Sequence, residues 1–151
     1  MSEQLSPTDV PALLHTILFA YQKKLKEVLG SGEAIFVYPV LDTINRIDTE
    51  KKLNSIRGDS LDEILDNFGK DMVASNFFKK AWFEKVGPVS YKFCIEGCMF
   101  ADQVHHLLEP TDCACPMAFV AMALYSKKTK KRVKLTDSEF TTDGAVTLIT
   151  S

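Results

Sequence analysis

The 151-residue chain has no stretch approaching the roughly 20 consecutive apolar residues that a membrane-spanning helix needs. Its longest early apolar run, Ala34 to Leu41, is short and interrupted by Pro39, so no membrane partner is expected. Met1-Ser2-Glu3-Gln4 lacks the basic n-region of a secretory signal, which makes a cytoplasmic location the expectation. There is no Gly-rich phosphate loop, no Gly-x-Ser-x-Gly and no His-Glu-x-x-His, so the commonest phosphate-binding, hydrolase and metalloprotease signatures are missing. Six Pro and seven Gly are too few for collagen-like or low-complexity material. An excess of one charge is lacking too. With 18 basic and 20 acidic residues and a net charge of −2, the surface as a whole gives no reason to bind nucleic acid. The local basic run Lys127, Lys128, Lys130, Lys131, Arg132 and Lys134 reads as a solvated helix end and strand edge, where Lys discourages edge pairing.

What is present suits one ordinary globular domain over 1–151. The chain is 46% hydrophobic, and ten Phe, four Tyr and one Trp argue against disorder. The first element is a helix, with Ser6 as cap and Pro7 in its first turn. Val10, Leu13, Leu14, Ile17, Leu18, Tyr21, Leu25 and Val28 follow helical spacing up to the stop at Gly30. Leu14, Leu18, Tyr21 and Leu25 form one stripe and Val10, Leu13, Ile17 and Val28 another. The expectation is that one faces the sheet and the other a second copy of the chain, giving a homodimer.

Residues 33–47 fit two descriptions. Ile35 to Val40 reads as a strand, whereas Val37, Leu41, Ile44 and Ile47 fit one helix face. Residues 48–60 are polar and read as a loop. Ser60-x-x-Glu63 is a capping box opening a second helix, whose stripe is Leu61, Ile64, Leu65, Phe68 and Met72. Beyond it the pattern turns to strand. Ala81–Val86 and Val89–Cys98 flank the Gly87-Pro88 turn and predict a hairpin. A short helical piece over 100–108 precedes a helix starting near Cys115 and Pro116. Two strands, Arg132–Leu135 with an extension toward Phe140 and Ala145–Ile149, close the chain around Asp143-Gly144. This order predicts an α+β fold, N-terminal helices packed on a small antiparallel sheet with a helix between two hairpins.

The four cysteines, Cys94, Cys98, Cys113 and Cys115, fall within 22 residues in the pattern C-x3-C-x14-C-x-C. Cys94 and Cys98, four apart on a strand, share a face if the strand stays regular. Cys115 opens a helix, where free N–H groups lower a thiol pKa. Four thiolates, or three with His105 or His106, would suit tetrahedral zinc; an iron–sulfur cluster is a less favoured alternative. Against this stands plain burial, since free Cys packs as a small hydrophobe. Glu96 lies between the strand cysteines. His15, on or near the apolar face of the first helix, reads as a core or interface residue. A Cys–His–acid triad from Asp102, His105 and Asp112 has only sequence proximity behind it. Phe19, Phe36, Tyr38, Phe68, Phe77, Phe78, Trp82, Phe83, Phe93 and Phe100 suit either an apolar pocket or an aromatic core.

The stretch from Cys115-Pro-Met-Ala-Phe through the basic connection to Thr-Asp-Gly-Ala-Val-Thr-Leu-Ile149 resembles the C-terminal half of the 4-vinyl reductase domain family. The preceding order of a long helix, a second helix and a hairpin is similar as well. The resemblance implies a fold shared with haem nitric-oxide-sensing domains and with small vesicle-tethering subunits. It also implies binding of a small molecule or hydrocarbon, dimerisation through N-terminal helices, and zinc held by cysteines. The chain departs from the family where its closing cysteines would fall, near Phe140 and Thr147, so only Cys115 carries over. Neither His105 nor His106 sits in a haem-ligand motif. Together these readings put a binding or sensory module for a small hydrophobic molecule first. A thiol- or metal-dependent enzyme and a structural dimeric adaptor are the alternatives.

Overall fold

A computed structural model describes residues 9–29, 36–108, 114–134, 136 and 138–151. Helix α1 spans Asp9–Leu29, α2 Val37–Lys51 and α3 Leu61–Ala74. Strands β1 (Lys80–Gly87) and β2 (Ser90–Glu96) form the first hairpin. The short α4 (Ala101–Val104) continues as a 3-10 turn through Leu107, and α5 covers Pro116–Thr129. Strands β3 (Ser138–Phe140) and β4 (Ala145–Ile149) end the fold. The sheet is antiparallel with order β1-β2-β4-β3. It is the expected α+β architecture of helices on a small sheet, with α5 between the two hairpins. No helix among the described residues is long and apolar enough to cross a membrane.

Local chemistry explains most boundaries. The Ser60 side chain accepts from the Glu63 N–H while the Glu63 carboxylate accepts from the Ser60 and Asp59 N–H groups, so both halves of the capping box form. Residues 37–51 are helical, because Val37, Val40, Leu41 and Ile44 all reach the core only at helical spacing. The cap of α1 and the residues joining it to α2 lie outside the described residues. In the last hairpin the first strand begins at Ser138, not at Arg132. Among the described residues of the earlier segment, Lys134 pairs with Thr150.

The core lies between the sheet and α2, α3 and α5. Tyr91, Phe93 and Ile95 of β2 share one face with Phe83 of β1 and Ala145, Thr147 and Ile149 of β4. On that face Phe93 stacks on Phe83 at 4.7 Å between ring centres. Helix α5 is buried on nearly every side from Ala118 to Ser126, since three alanines allow its neighbours to close in. Its Tyr125 is fully buried and donates to the Val89 carbonyl at 2.7 Å. Gly69 lets α3 settle on β1: a Cβ there would sit 2.8 Å from the Ala81 carbonyl oxygen.

Helix α1 packs differently from its sequence pattern. Both apolar stripes point outward. Val10, Leu13, Leu14, Ile17, Leu18, Tyr21 and Val28 are all exposed, Leu14 at 59% and Tyr21 at 65%. The inward face is Ala12, His15, Phe19 and Gln22, at the same 3-4-3 spacing two positions along. Phe19 is buried with Ala12 against Val104, and the Gln22 side chain accepts the Ala114 N–H at 3.2 Å.

Candidate functional site

Strand β2 ends at Glu96 because Gly97 takes φ +64, a left-handed turn that a side chain would resist. This reversal separates the strand cysteines. Cys94 sits between Trp82 and Val146, with the charges of Glu84, Lys92 and Glu96 around it, on the face away from Tyr91, Phe93 and Ile95. Glu96 on that side is paired with Lys80 at 2.7 Å. Cys98, past the turn, instead packs against the main core together with Cys115. The regular strand that would put Cys94 and Cys98 on one face stops two residues short of Cys98.

Cys98 and Cys115 lie close enough that a charge on Cys98 raises the pKa of Cys115. Each sulfur accepts backbone N–H groups at the start of a helix: Phe100 and Ala101 for Cys98, Met117 and Ala118 for Cys115. These bonds do not activate Cys115. It is buried, and desolvation pushes its thiol up to about 12, so the low pKa expected from its helix-start position is absent. Burial likewise takes Cys94 up to about 11 and raises Cys98.

His105 is buried, with Nδ1 2.9 Å from the Thr141 carbonyl and its ring edge-on to Phe140. His106 is exposed and its Nδ1 lies 3.1 Å from the Asp102 carbonyl. Cys113 and Asp112 lie outside the described residues. Among the described residues no three His, Cys, Asp or Glu side chains converge on a metal-sized point. Cys98 and Cys115 are the two cysteines that the fold brings together, and among the described residues no such group of three forms around them.

His15 is held in an aromatic cage, edge-on to Phe19 at 4.7 Å and stacked on Phe100 at 5.0 Å. Its Nε2 is buried without a hydrogen-bond partner among the described residues. Burial, helped by the nearby His105, lowers its pKa to about 4. The folded state therefore refuses a proton that the unfolded chain accepts below about pH 6.5. Stability is full above that value and falls as pH drops toward 4. Discounted for partial exposure, the loss at pH 5 is on the order of 1 kcal/mol. Urea unfolding at pH 7.5 and pH 5 checks this. The wild-type midpoint should fall more than that of His15→Phe, and equal falls would contradict the assignment.

Three clefts among the described residues are open to solvent. One of about 560 Å³ is bordered by Cys98, Val73, Phe78, Lys79, Asp102 and Asp143, an evenly mixed rim. One of about 280 Å³ is bordered by Asp102, His105, His106, Phe140 and Thr141. The third is about 440 Å³. Its floor is apolar: Ile44 of α2, Phe68 of α3, and Val120 and Leu124 of α5. Its rim is Leu53, Asn54, Ser55, Arg57 and Asp71. The rim loop holds Lys52 and Asn54 at φ 54 and 51, a conformation that side chains disfavour, and the Asp48 carboxylate fixes the loop by accepting the Ser55 N–H at 2.8 Å. Arg57 and Asp71 form an ion pair across the opening. Of the ten aromatic residues read from the sequence as candidate lining, Phe68 is the one that lines this cleft. Arg57, within a stretch that reads only as polar loop, carries no signal in the sequence.

Comparison with family models, with curated proteins and with solved structures returned no match to this chain.

Proposed function

We propose that the chain is a binding or sensory module for a small, largely apolar molecule, taken up in the cleft between α2, α3 and α5. The observation carrying this reading is the apolar floor beneath a rim with one guanidinium, one carboxylate and two small polar side chains. Small-molecule sites have this composition: mostly hydrophobic walls, a few polar anchors and a volume of several hundred Å³. The resemblance to the 4-vinyl reductase domain family points the same way, and a cytoplasmic location belongs to the same reading.

The module acts as a homodimer through α1. Val10, Leu14, Ile17 and Tyr21 follow 4-3-4 spacing along the outward face, with Val28 two turns further on, a seam that a second α1 completes. In an antiparallel pair Val10 meets Val28 and Ile17 meets Tyr21. The thiol-enzyme alternative has less support, because burial raises the pKa of Cys115, the cysteine it rests on. The zinc reading rests on Cys98, Cys115 and Cys113, and metal analysis of freshly purified protein tests it.

The cleft is tested with 1-octanol as probe and thermal unfolding as readout. Octanol should raise the wild-type Tm by a few degrees by binding the folded state alone. Val120→Phe fills the floor and should abolish that rise while keeping the far-ultraviolet spectrum. An equal rise in both proteins would move binding elsewhere and remove the cleft from the account.

A further inference from the structure

Among the described residues, the cleft that the ligand-binding reading uses has one cation in its lining, Arg57. Arg57 stands on the rim, and its bond to Asp71 uses a single guanidinium nitrogen and a single carboxylate oxygen. The pair is exposed on both sides, 46% and 52%, so it holds weakly. A guanidinium carries five N–H donors in a planar fork, and the rest of the fork is what a second carboxylate takes. Lys127 and Lys128 lie one turn beyond Leu124 on α5. Their ammonium groups are bonded to neutral acceptors, Asn45 Oδ1 at 2.6 Å and the Asp59 carbonyl at 2.5 Å. Asn45 adjoins Ile44 of the floor, and Asp59 is two residues past Arg57. Of the acidic groups on this side, Asp48 and Glu63 are occupied by the N–H groups of Ser55, Asp59 and Ser60. Asp71 is left as the one carboxylate lining the opening.

We infer that the molecule held here is an amphiphilic carboxylate, its chain on Ile44, Phe68, Val120 and Leu124 and its acid head on the guanidinium of Arg57. The inference rests on the ligand-binding reading and adds the polarity and direction of the ligand. Asp71 then acts as a competitor: it holds Arg57 over the opening when the cleft is empty and yields the fork when a carboxylate arrives.

The experiment compares octanoate with 1-octanol by calorimetry at low ionic strength, in wild type, Arg57→Gln and Asp71→Asn. Octanoate should bind wild type about tenfold more tightly than octanol, the scale of one charge-assisted hydrogen-bonding contact at a partly exposed site. Arg57→Gln should erase the difference, with an unchanged far-ultraviolet spectrum verifying the fold. Asp71→Asn should widen it, and added salt should narrow it. Equal binding of the two probes by wild type, or a preference for octanoate that survives Arg57→Gln, overturns the acid-head inference and leaves the apolar cleft standing. Failure of both probes to bind wild type overturns the cleft reading itself.

Discussion

Gly144→Ala is expected to be the most damaging single methyl that this chain can receive. Gly144 leads from the Asp143 turn into β4, and a Cβ at that position would lie 1.8 Å from the Ile95 carbonyl oxygen and 2.7 Å from its carbon. Both are backbone atoms of β2, so no side chain can swing aside. Either β4 separates from β2 or the turn is rebuilt. The turn also supplies the Asp143 carbonyl that accepts the Cys98 N–H at 2.9 Å, and the Gly144 carbonyl accepts from Thr141. A cost of about 3 kcal/mol or more follows, at the upper end for an overpacked site. For a chain of this size that is a fall in Tm of roughly 6–12 °C. Gly87→Ala is the control, because its Cβ would meet Ser90 at an ordinary 3.5 Å. Paired thermal melts decide the matter: if both substitutions cost the same, the close approach of β4 to β2 is not what the glycine serves.

The second large effect is on assembly. Leu14 and Ile17 are 59% and 48% exposed on α1. In a monomer, replacing both with Glu removes no buried contact and should leave the Tm within a degree or two. In a dimer it removes four apolar side chains from one seam. Each such burial contributes on the order of 1.5–3 kcal/mol before the cost of ordering, so the dimer constant should weaken more than 100-fold. Sedimentation at tens of micromolar should show wild type at twice 16.9 kDa and the Leu14→Glu, Ile17→Glu variant at 16.9 kDa. A wild-type chain that sediments at 16.9 kDa would refute the dimer.

The sequence was informative where the determinants are local. The Ser60–Glu63 box, the Gly87-Pro88 turn and Pro116 at the head of α5 each act within a few residues, and each marks its element correctly. Periodicity detected the apolar face of α1 but not which side of the helix is covered. The covered side is Ala12, His15, Phe19 and Gln22, less apolar than the side left open, and a hydrophobic pattern cannot register that inversion. The faces of Cys94 and Cys98 depended on whether the strand continued past Glu96, which one glycine decided. Thiol reactivity depended on burial: the N–H groups at the head of α5 do reach Cys115, yet desolvation outweighs them. Arg57 was invisible as a candidate because its role comes from the convergence of α2, α3 and α5, three segments far apart in the chain.

Methyl-resolved NMR during titration with 1-octanol tests the central claim most directly, because the chain carries two competing apolar surfaces. Binding in the cleft predicts saturable shifts at Ile44, Leu53, Val120 and Leu124, with Val10, Leu14 and Ile17 unmoved. Shifts confined to the α1 methyls, or spread evenly over the molecule, would contradict a ligand site between α2, α3 and α5.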